Sequence, residues 1–318
     1  MISMNHKTKQ FLILLLKLLI VGGAFYFIYD RLASEEQFTW NQFQGIVAEK
    51  ASFTSIFIVL LFSFFNRYVE ILKWQNLAGV IRPISVGEST KQVLGALTLA
   101  LFTPNGIGEY AGKALFFEKE NTKKIIFLNL ICNGVQMVLT VVFGTFGLLY
   151  FNANYTIITP KAVLLISGIF LLTLAVLFFL KKITIRGYSL EKLIHKINKI
   201  PKNIHQKNSI LGVIRYLIFS HQYYFLFVLL GVQLPYPILM AAITSVYFLA
   251  SSLPSFQFLD FAVKGSVAVF FFGKLGVNEW IVVFISTLMW FLNTVLPVIV
   301  GSYFVFTFKS QWKSESSL

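Results

Sequence analysis

The sequence predicts an all-α integral membrane protein with about six full transmembrane helices and two opposed re-entrant hairpins in an inverted repeat. Composition is the first observation: of 318 residues, 57% are apolar, 13% are charged and 35 are phenylalanine, far from soluble-domain usage. The second is a series of apolar runs long enough to cross a bilayer, which takes about 20 helical residues. The third is a polar, helix-breaking element that occurs twice. We therefore expect residues 1–318 to form a single polytopic membrane domain.

The charge and the reactive side chains exclude several classes of function. The net charge is +14, but the basic residues are scattered over short loops between apolar runs. This distribution is typical of positive-inside topology and contact with anionic lipids, and not of nucleic-acid binding. Cys132 is the single cysteine and lies in an apolar run, and the four histidines are dispersed. We expect no disulfide, metal, cofactor or catalytic residue, and no enzyme.

The first half of the chain predicts spans around one broken element. Phe11–Tyr29 is the first span and not a cleaved signal peptide, because no small-x-small cleavage site lies at its end. Residues 31–50 are predicted as an outside loop with Trp40 and Phe43 as interfacial anchors. The next elements are a helix over Ala51–Val80, a run over Val86–Leu101 and an arm over Ile107–Phe117. The arm is roughly 16 Å long, too short to cross, and so predicts a re-entrant hairpin.

The second half predicts the same plan after a basic segment. Residues 181–207 carry eight lysines or arginines against the one acid Glu191, which indicates a cytoplasmic loop. Spans are predicted over Ile125–Tyr150, Ala162–Leu180, Ser209–Leu230 and Trp280–Phe306, and a second hairpin over Pro235–Leu253 and Ser255–Phe272. With both termini cytoplasmic, every strongly basic loop lies inside. The sequence thus predicts a multi-pass protein of the cytoplasmic (inner) membrane, with one hairpin entering from each side.

The two hairpins carry matching acid and lysine pairs. FTPNGIGEYAGKA, from Phe102, places Glu109 four residues before Lys113, and LPSFQFLDFAVKG, from Leu253, places Asp260 four residues before Lys264. This spacing puts each pair on one helix face in the favourable order. Ionisable residues at membrane depth cost about 2.5–3.5 kcal/mol each on insertion scales, so the pairs are candidates for function.

The match extends to both halves of the chain. Arg67 lies 37 residues before Pro104, and Arg215 lies 39 residues before Pro254. We interpret residues 51–151 and 208–308 as two inverted repeat halves, a recurring transporter plan with the binding site at the repeat interface. Chance similarity among helices rich in phenylalanine and leucine is the alternative.

Each paired residue has an expected role. Lys113 and Lys264 would contact an anionic headgroup, and Glu109 and Asp260 would hold the lysines or take up a proton. Arg67 and Arg215 would line the route from either leaflet. The alternative is that each acid and lysine only neutralise one another and stabilise packing. In that case removing both partners is tolerated better than removing one, because the survivor is the costly species.

The break in the first hairpin also suits an anion. Free backbone N–H groups at residues 105–108 would form a positive helix end that favours phosphate or carboxylate. Gly106 and Gly108 would let the backbone approach a ligand closely.

The motif TPNGIGEYAGKA, after Arg82-Pro83, resembles the lysylphosphatidylglycerol synthase transmembrane region, a flippase-like family. Thr103, Pro104, Gly106, Gly108 and Glu109 fit its first hairpin motif, with Asn105 replacing a glycine. The second hairpin departs from the family pattern, because Pro254 is followed by no glycines and Asp260 stands where Glu is expected. We therefore expect Glu109 and Lys113 to contribute more to substrate binding than Asp260 and Lys264.

The resemblance implies movement of an anionic phospholipid or lipid-linked precursor between leaflets. Family members with a soluble aminoacyl-transferase domain also modify lipid, but this chain ends at Leu318 without one, so lysine transfer is not predicted. The candidate substrate-binding residues are Arg67, Thr103, Asn105, Gly106, Gly108, Glu109, Lys113, Arg215, Asp260 and Lys264.

Two other functions remain open at this point. One is a secondary transporter of a small anionic solute, and the other is a non-transporting scaffold for a cell-envelope enzyme. A lipid route should have a lateral groove open to lipid, a solute transporter a closed aqueous cavity, and a scaffold no need of ionisable residues at the midplane. Expected partners are membrane lipids with an anionic headgroup, and a second copy of the chain or a cell-envelope enzyme.

Overall fold

Helices make up every element of the chain that the structure describes. The computed structural model describes residues 6–33, 40–101, 103, 106–162, 189–253 and 256–308. The helices are α1 His6–Ala33, α2 Trp40–Lys50, α3 Phe53–Ala78, α4 Val86–Leu101, α5 Ile107–Ala114, α6 Thr122–Asn154, α7 Leu190–Asn198, α8 Lys202–Leu229, α9 Tyr236–Ser252, α10 Asp260–Lys274, α11 Glu279–Trp290 and α12 Leu296–Phe306. Short 3-10 turns precede α6 and α10, and a π-helical turn, Phe291–Val295, joins α11 to α12. The all-α prediction is confirmed for these residues.

In the part of the chain that the structure describes, three helices are long and apolar enough to cross a membrane, judged by length and composition. They are Phe53–Ala78, Lys119–Asn154 and Glu279–Phe306, with 26, 36 and 28 residues. Phenylalanines on these helices, a residue type that soluble proteins mostly bury, are widely exposed, including Phe53 at 86% and Phe146 at 69%. These are the features expected of an all-α membrane protein.

The segment 31–50, predicted as an outside loop, contains the helix α2, so the prediction of a loop is wrong there. In α2, Trp40 lies 5.3 Å from the Trp280 ring, and Phe43, which is buried, lies 5.3 Å from the Phe284 ring. Both rings were expected to anchor the chain at the membrane surface. Both rings also pack against α11, where the aromatic contacts bury part of their apolar surface.

The predicted basic loop over residues 181–207 is also partly helical. Its described part contains α7, where Ser189 Oγ accepts the Lys192 N–H at 3.2 Å as an N-cap. Helix α8 begins at Lys202, ahead of the predicted Ser209. The predicted span Ala162–Leu180 lies almost wholly outside the described residues, as does the basic tail from Lys309.

The helix contacts follow a two-fold pattern. Helix α3 packs against α8, α6 against α9, and α12 against α4. Suppose that α3 changes places with α8, α4 with α9, and α6 with the continuous α11 and α12. The contact of α3 with α8 is then unchanged, and the contact of α6 with α9 becomes that of α12 with α4. The exchange of α5 with α10 likewise relates the contact of α4 with α5 to that of α9 with α10.

Two glycines bring the exchanged helices close together. A Cβ at Gly147 of α6 would collide with Thr244 and lie 3.0 Å from the Ala241 carbonyl oxygen, and a Cβ at Gly301 of α12 would collide with Leu94 and Thr98. Small residues are the usual means of close helix approach in membranes. The glycines are 154 residues apart (301 less 147), close to the 151 residues that separate Lys113 from Lys264 in the matched motifs.

We expect Gly147→Ala to destabilise the protein by about 1–3 kcal/mol, because the methyl group overpacks the α6–α9 crossing. Gly134→Ala, on the same helix with nothing within 4 Å of its Cβ position, is expected to stabilise by about 0.5–1 kcal/mol through helix propensity. Equilibrium unfolding in mixed detergent micelles measures both. Equal effects of the two substitutions would contradict the close crossing.

Candidate functional site

The break before α5 contains a tight turn in which two backbone N–H groups are hydrogen-bonded to Thr103. Gly106 adopts a left-handed φ of 68°, and Thr103 Oγ1 accepts the Gly108 N–H at 2.7 Å. The Gly106 N–H donates to the Thr103 carbonyl oxygen at 3.2 Å. Two of the amides predicted to face an anion are therefore occupied within the turn, and that prediction is wrong for them. Asn105 lies outside the described residues.

The glycines of this motif serve the turn and the packing of α5 against α4. A Cβ at Gly108 would collide with the Leu99 carbonyl oxygen, and one at Gly112 would lie 3.0 Å from the Ala96 Cα. Gly106 is needed for its left-handed backbone, which strains any residue with a Cβ. These contacts explain why the motif is rich in glycine without a ligand.

The Glu109–Lys113 ion pair forms, but its two members differ in access. Lys113 is fully buried, and its Nζ donates to Glu109 Oε1 and Asn129 Oδ1, both at 2.7 Å. It also lies 4.5 Å from the Trp74 ring centroid. Glu109 is 20% exposed and its Oε2 accepts from Asn133 Nδ2 at 3.3 Å. Glu109 thus reaches an internal cavity, whereas Lys113 supports it from behind.

The second predicted pair is the more accessible one. Asp260 and Lys264 form an ion pair on α10, with 23% and 38% of their side chains exposed. Just before it, Gln257 meets the first break: a Cβ at Gly106 would lie 2.7 Å from Gln257 Oε1. The two broken elements therefore meet at their tips.

Glu70 is the acid that sequence reasoning missed. Its Oε2 lies 2.9 Å from Arg215 Nη1 of α8 and 3.4 Å from Lys73 Nζ. The signal was present in the sequence: Glu70 lies three residues after Arg67 inside an apolar helix, where acids are rare and usually paired. The pairing across α3 and α8 could not be read from the sequence.

Polar groups around the π-helical turn complete this centre. Arg67 Nη2 donates to the Asn293 carbonyl oxygen at 2.5 Å, and Asn66 Nδ2 donates to Asn293 Oδ1 at 2.6 Å. Arg215 Nε in turn donates to Asn66 Oδ1 at 3.2 Å. π-Helical turns often occur at functional sites because they release backbone groups from the regular ladder. The prediction had Arg67 and Arg215 lining the route from either leaflet, and the structure brings them to one site.

These side chains surround a cavity of about 340 Å³, the central cavity. Its charged lining residues are Arg67, Glu70, Glu109, Arg215, Asp260 and Lys264. Its polar lining residues include Asn66, Asn133, Gln136, Tyr247, Gln257, Trp290 and Asn293. Among the candidate residues, Thr103, Gly106, Gly108 and Lys113 are not in this lining.

Two further spaces adjoin the central cavity. The tip cavity, about 490 Å³, lies between the two breaks and shares Glu109, Gln257 and Asp260 with the central cavity. An apolar groove of about 440 Å³, the α1 groove, lies between α1, α9 and α10 and shares Ser252 and Leu253 with the tip cavity. The two polar cavities therefore adjoin the apolar α1 groove.

No protein-family model and no curated protein matches this chain. Within the described ranges no group of three or more His, Cys, Asp or Glu side chains is placed to hold a metal ion.

Proposed function

We propose that the protein moves a lipid with an anionic headgroup, a phospholipid or lipid-linked precursor, between the leaflets of the cytoplasmic membrane. The observation that carries the proposal is that three cavities adjoin one another: the charged central cavity, the tip cavity and the apolar α1 groove. A lipid in transit needs polar walls for its headgroup and apolar walls for its chains. The resemblance to the flippase-like lysylphosphatidylglycerol synthase transmembrane region points the same way.

The topology that goes with this function has six spans, two hairpins and both termini in the cytoplasm. Helices α1 and α8 have 28 residues each, about 42 Å, and add to the three long apolar helices. The remaining predicted span, Ala162–Leu180, lies almost wholly outside the described residues. Helix α5 has eight residues, about 12 Å, which suits a re-entrant arm. The exchange of helix contacts supports the inverted repeat of residues 51–151 and 208–308.

The proposed roles of the paired residues follow their access. Lys264, Arg67 and Arg215 contact the headgroup, and Asp260 holds Lys264 when the site is empty. Glu109 faces the same space, while the buried Lys113 orients Glu109 and does not touch the lipid. The lysine that contacts the lipid therefore belongs to the second hairpin pair and not to the first.

Leaflet exchange of labelled phospholipids in proteoliposomes tests the function. We expect protein-dependent exchange of phosphatidylglycerol to exceed that of phosphatidylcholine, and Lys264→Met to lower it about 10-fold, since a charge-assisted hydrogen bond contributes about 1.5–3 kcal/mol. Lys274→Met is the matched control, because Lys274 is exposed at the far end of the same helix. Uptake of a small anion without lipid exchange would favour a solute transporter, and neither activity from folded protein would favour a scaffold.

A further inference from the structure

Three buried side-chain nitrogen donors around the central cavity have no acceptor among the described residues. They are Arg67 Nε on α3, Gln136 Nε2 on α6 and Trp290 Nε1 on α11. All three side chains line the cavity. Buried donors in native proteins are nearly always hydrogen-bonded, because an unmet donor loses its hydration with nothing in return. Three such donors at one cavity indicate a bound group that supplies acceptors.

Among the described residues that line this cavity, the fully buried side-chain atoms without a partner are all donors. The remaining unpartnered buried side-chain atoms of the described residues belong to Asn129, Asn208 and Tyr216, which are not in its lining. A cavity that held only water would be expected to have a mixture of donors and acceptors, since water supplies both. The ligand is therefore a group made chiefly of acceptors.

The charges around the cavity indicate the charge of that group. The charged lining residues and their ion-pair partners comprise the five cations Arg67, Lys73, Lys113, Arg215 and Lys264 and the three carboxylates Glu70, Glu109 and Asp260. Five less three leaves a formal excess of two positive charges. Uncompensated charge inside a protein is costly, and a dianion would neutralise it.

We propose that Arg67, Gln136 and Trp290, with Arg215, bind a phosphate monoester dianion in the central cavity. Such a group has two negative charges and three terminal oxygens, matching both the charge excess and the three free donors. A phosphodiester headgroup carries one charge and two such oxygens, and a carboxylate carries one charge. Arginine is the side chain best suited to phosphate because its planar fork donates in fixed directions. The proposal deepens the proposed function, on which it rests only for the source of the phosphate in a lipid.

Binding to the full chain in detergent micelles tests the site separately from transport. The probes are phosphatidic acid, phosphatidylglycerol, phosphatidylcholine and soluble glycerol 3-phosphate, with affinity measured from the shift in thermal unfolding. We expect phosphatidic acid to bind at least 10-fold more tightly than phosphatidylglycerol, and phosphatidylcholine not to bind. Equal affinity for phosphatidic acid and phosphatidylglycerol, or no binding of either, overturns the proposal.

Two mild substitutions connect that binding to the unpartnered donors. Trp290→Phe removes one N–H and keeps the ring against Phe261, which lies 4.9 Å away, and Arg67→Lys keeps the charge but removes Nε. Each is expected to weaken phosphatidic acid binding about 10- to 100-fold, the effect of losing a hydrogen bond to a charged group. Trp280→Phe, the same change on the same helix outside the cavity lining, is the control. Unchanged binding in both cavity variants overturns the assignment.

The remaining outcomes separate this site from the proposed function. Tight binding of phosphatidic acid that depends on Trp290, without lipid exchange in proteoliposomes, supports the phosphate site and contradicts lipid transport. Glycerol 3-phosphate binding as tightly as phosphatidic acid supports the phosphate chemistry and overturns the lipid source. Lipid exchange that ignores both cavity substitutions supports transport and overturns the phosphate site.

Discussion

Glu70→Gln is expected to destabilise the protein by about 3–5 kcal/mol, the loss found when one partner of a buried ion pair is removed. Lys73 is fully buried, and its Nζ donates to Glu70 Oε2 and to the Cys132 carbonyl oxygen, so the substitution removes the carboxylate that balances its charge. Arg215 loses its carboxylate partner at the same time. Equilibrium unfolding in mixed detergent micelles, followed by circular dichroism, measures the change.

Glu88→Gln is the matched control for this experiment. Glu88 pairs with Arg82 near the protein surface, where 30% and 39% of the two side chains are exposed. Surface ion pairs contribute about 0–1 kcal/mol, so we expect a small loss. If both substitutions cost the same, Glu70 is not the electrostatic anchor of the α3–α8 contact.

The first hairpin pair should respond asymmetrically to substitution. Glu109→Gln leaves the fully buried Lys113 without its carboxylate partner. We expect it to lower the free energy of unfolding by about 3–5 kcal/mol. Lys113→Met leaves a carboxylate that is part exposed, bonded to Asn133 and open to the central cavity, so we expect a smaller loss of about 1–2 kcal/mol. The same unfolding assay compares the two.

The double substitution Glu109→Gln with Lys113→Met decides what the pair does. We expect it to be more stable than Glu109→Gln alone, because no lone buried charge remains. Recovery of both stability and lipid exchange would assign the pair a structural role. Recovery of stability with exchange still lost would mean that Glu109 itself takes part in transport. A double variant no more stable than the single would contradict the burial of Lys113.

Much of the local structure could be predicted from the sequence. The bounds of α4 agree with the predicted Val86–Leu101 to the residue, and both ion pairs at four-residue spacing form. The break between α4 and α5 is where proline and glycine interrupt the apolar pattern. These features depend on residues close together in the chain, where helix geometry alone sets which side chains meet.

The sequence by itself determined an all-helical, strongly apolar chain with two broken elements and the acid and lysine pairs beside them. Only the tertiary structure decided which charged groups share a cavity: it brought Arg67 and Arg215 together at Glu70, buried Lys113 and left Lys264 part exposed. The physical reason is that these contacts depend on how α3 packs against α8 and how the two breaks meet at Gly106 and Gln257. Helix periodicity gives the face on which a side chain lies, but the neighbour of that face is set by packing between helices far apart in the chain.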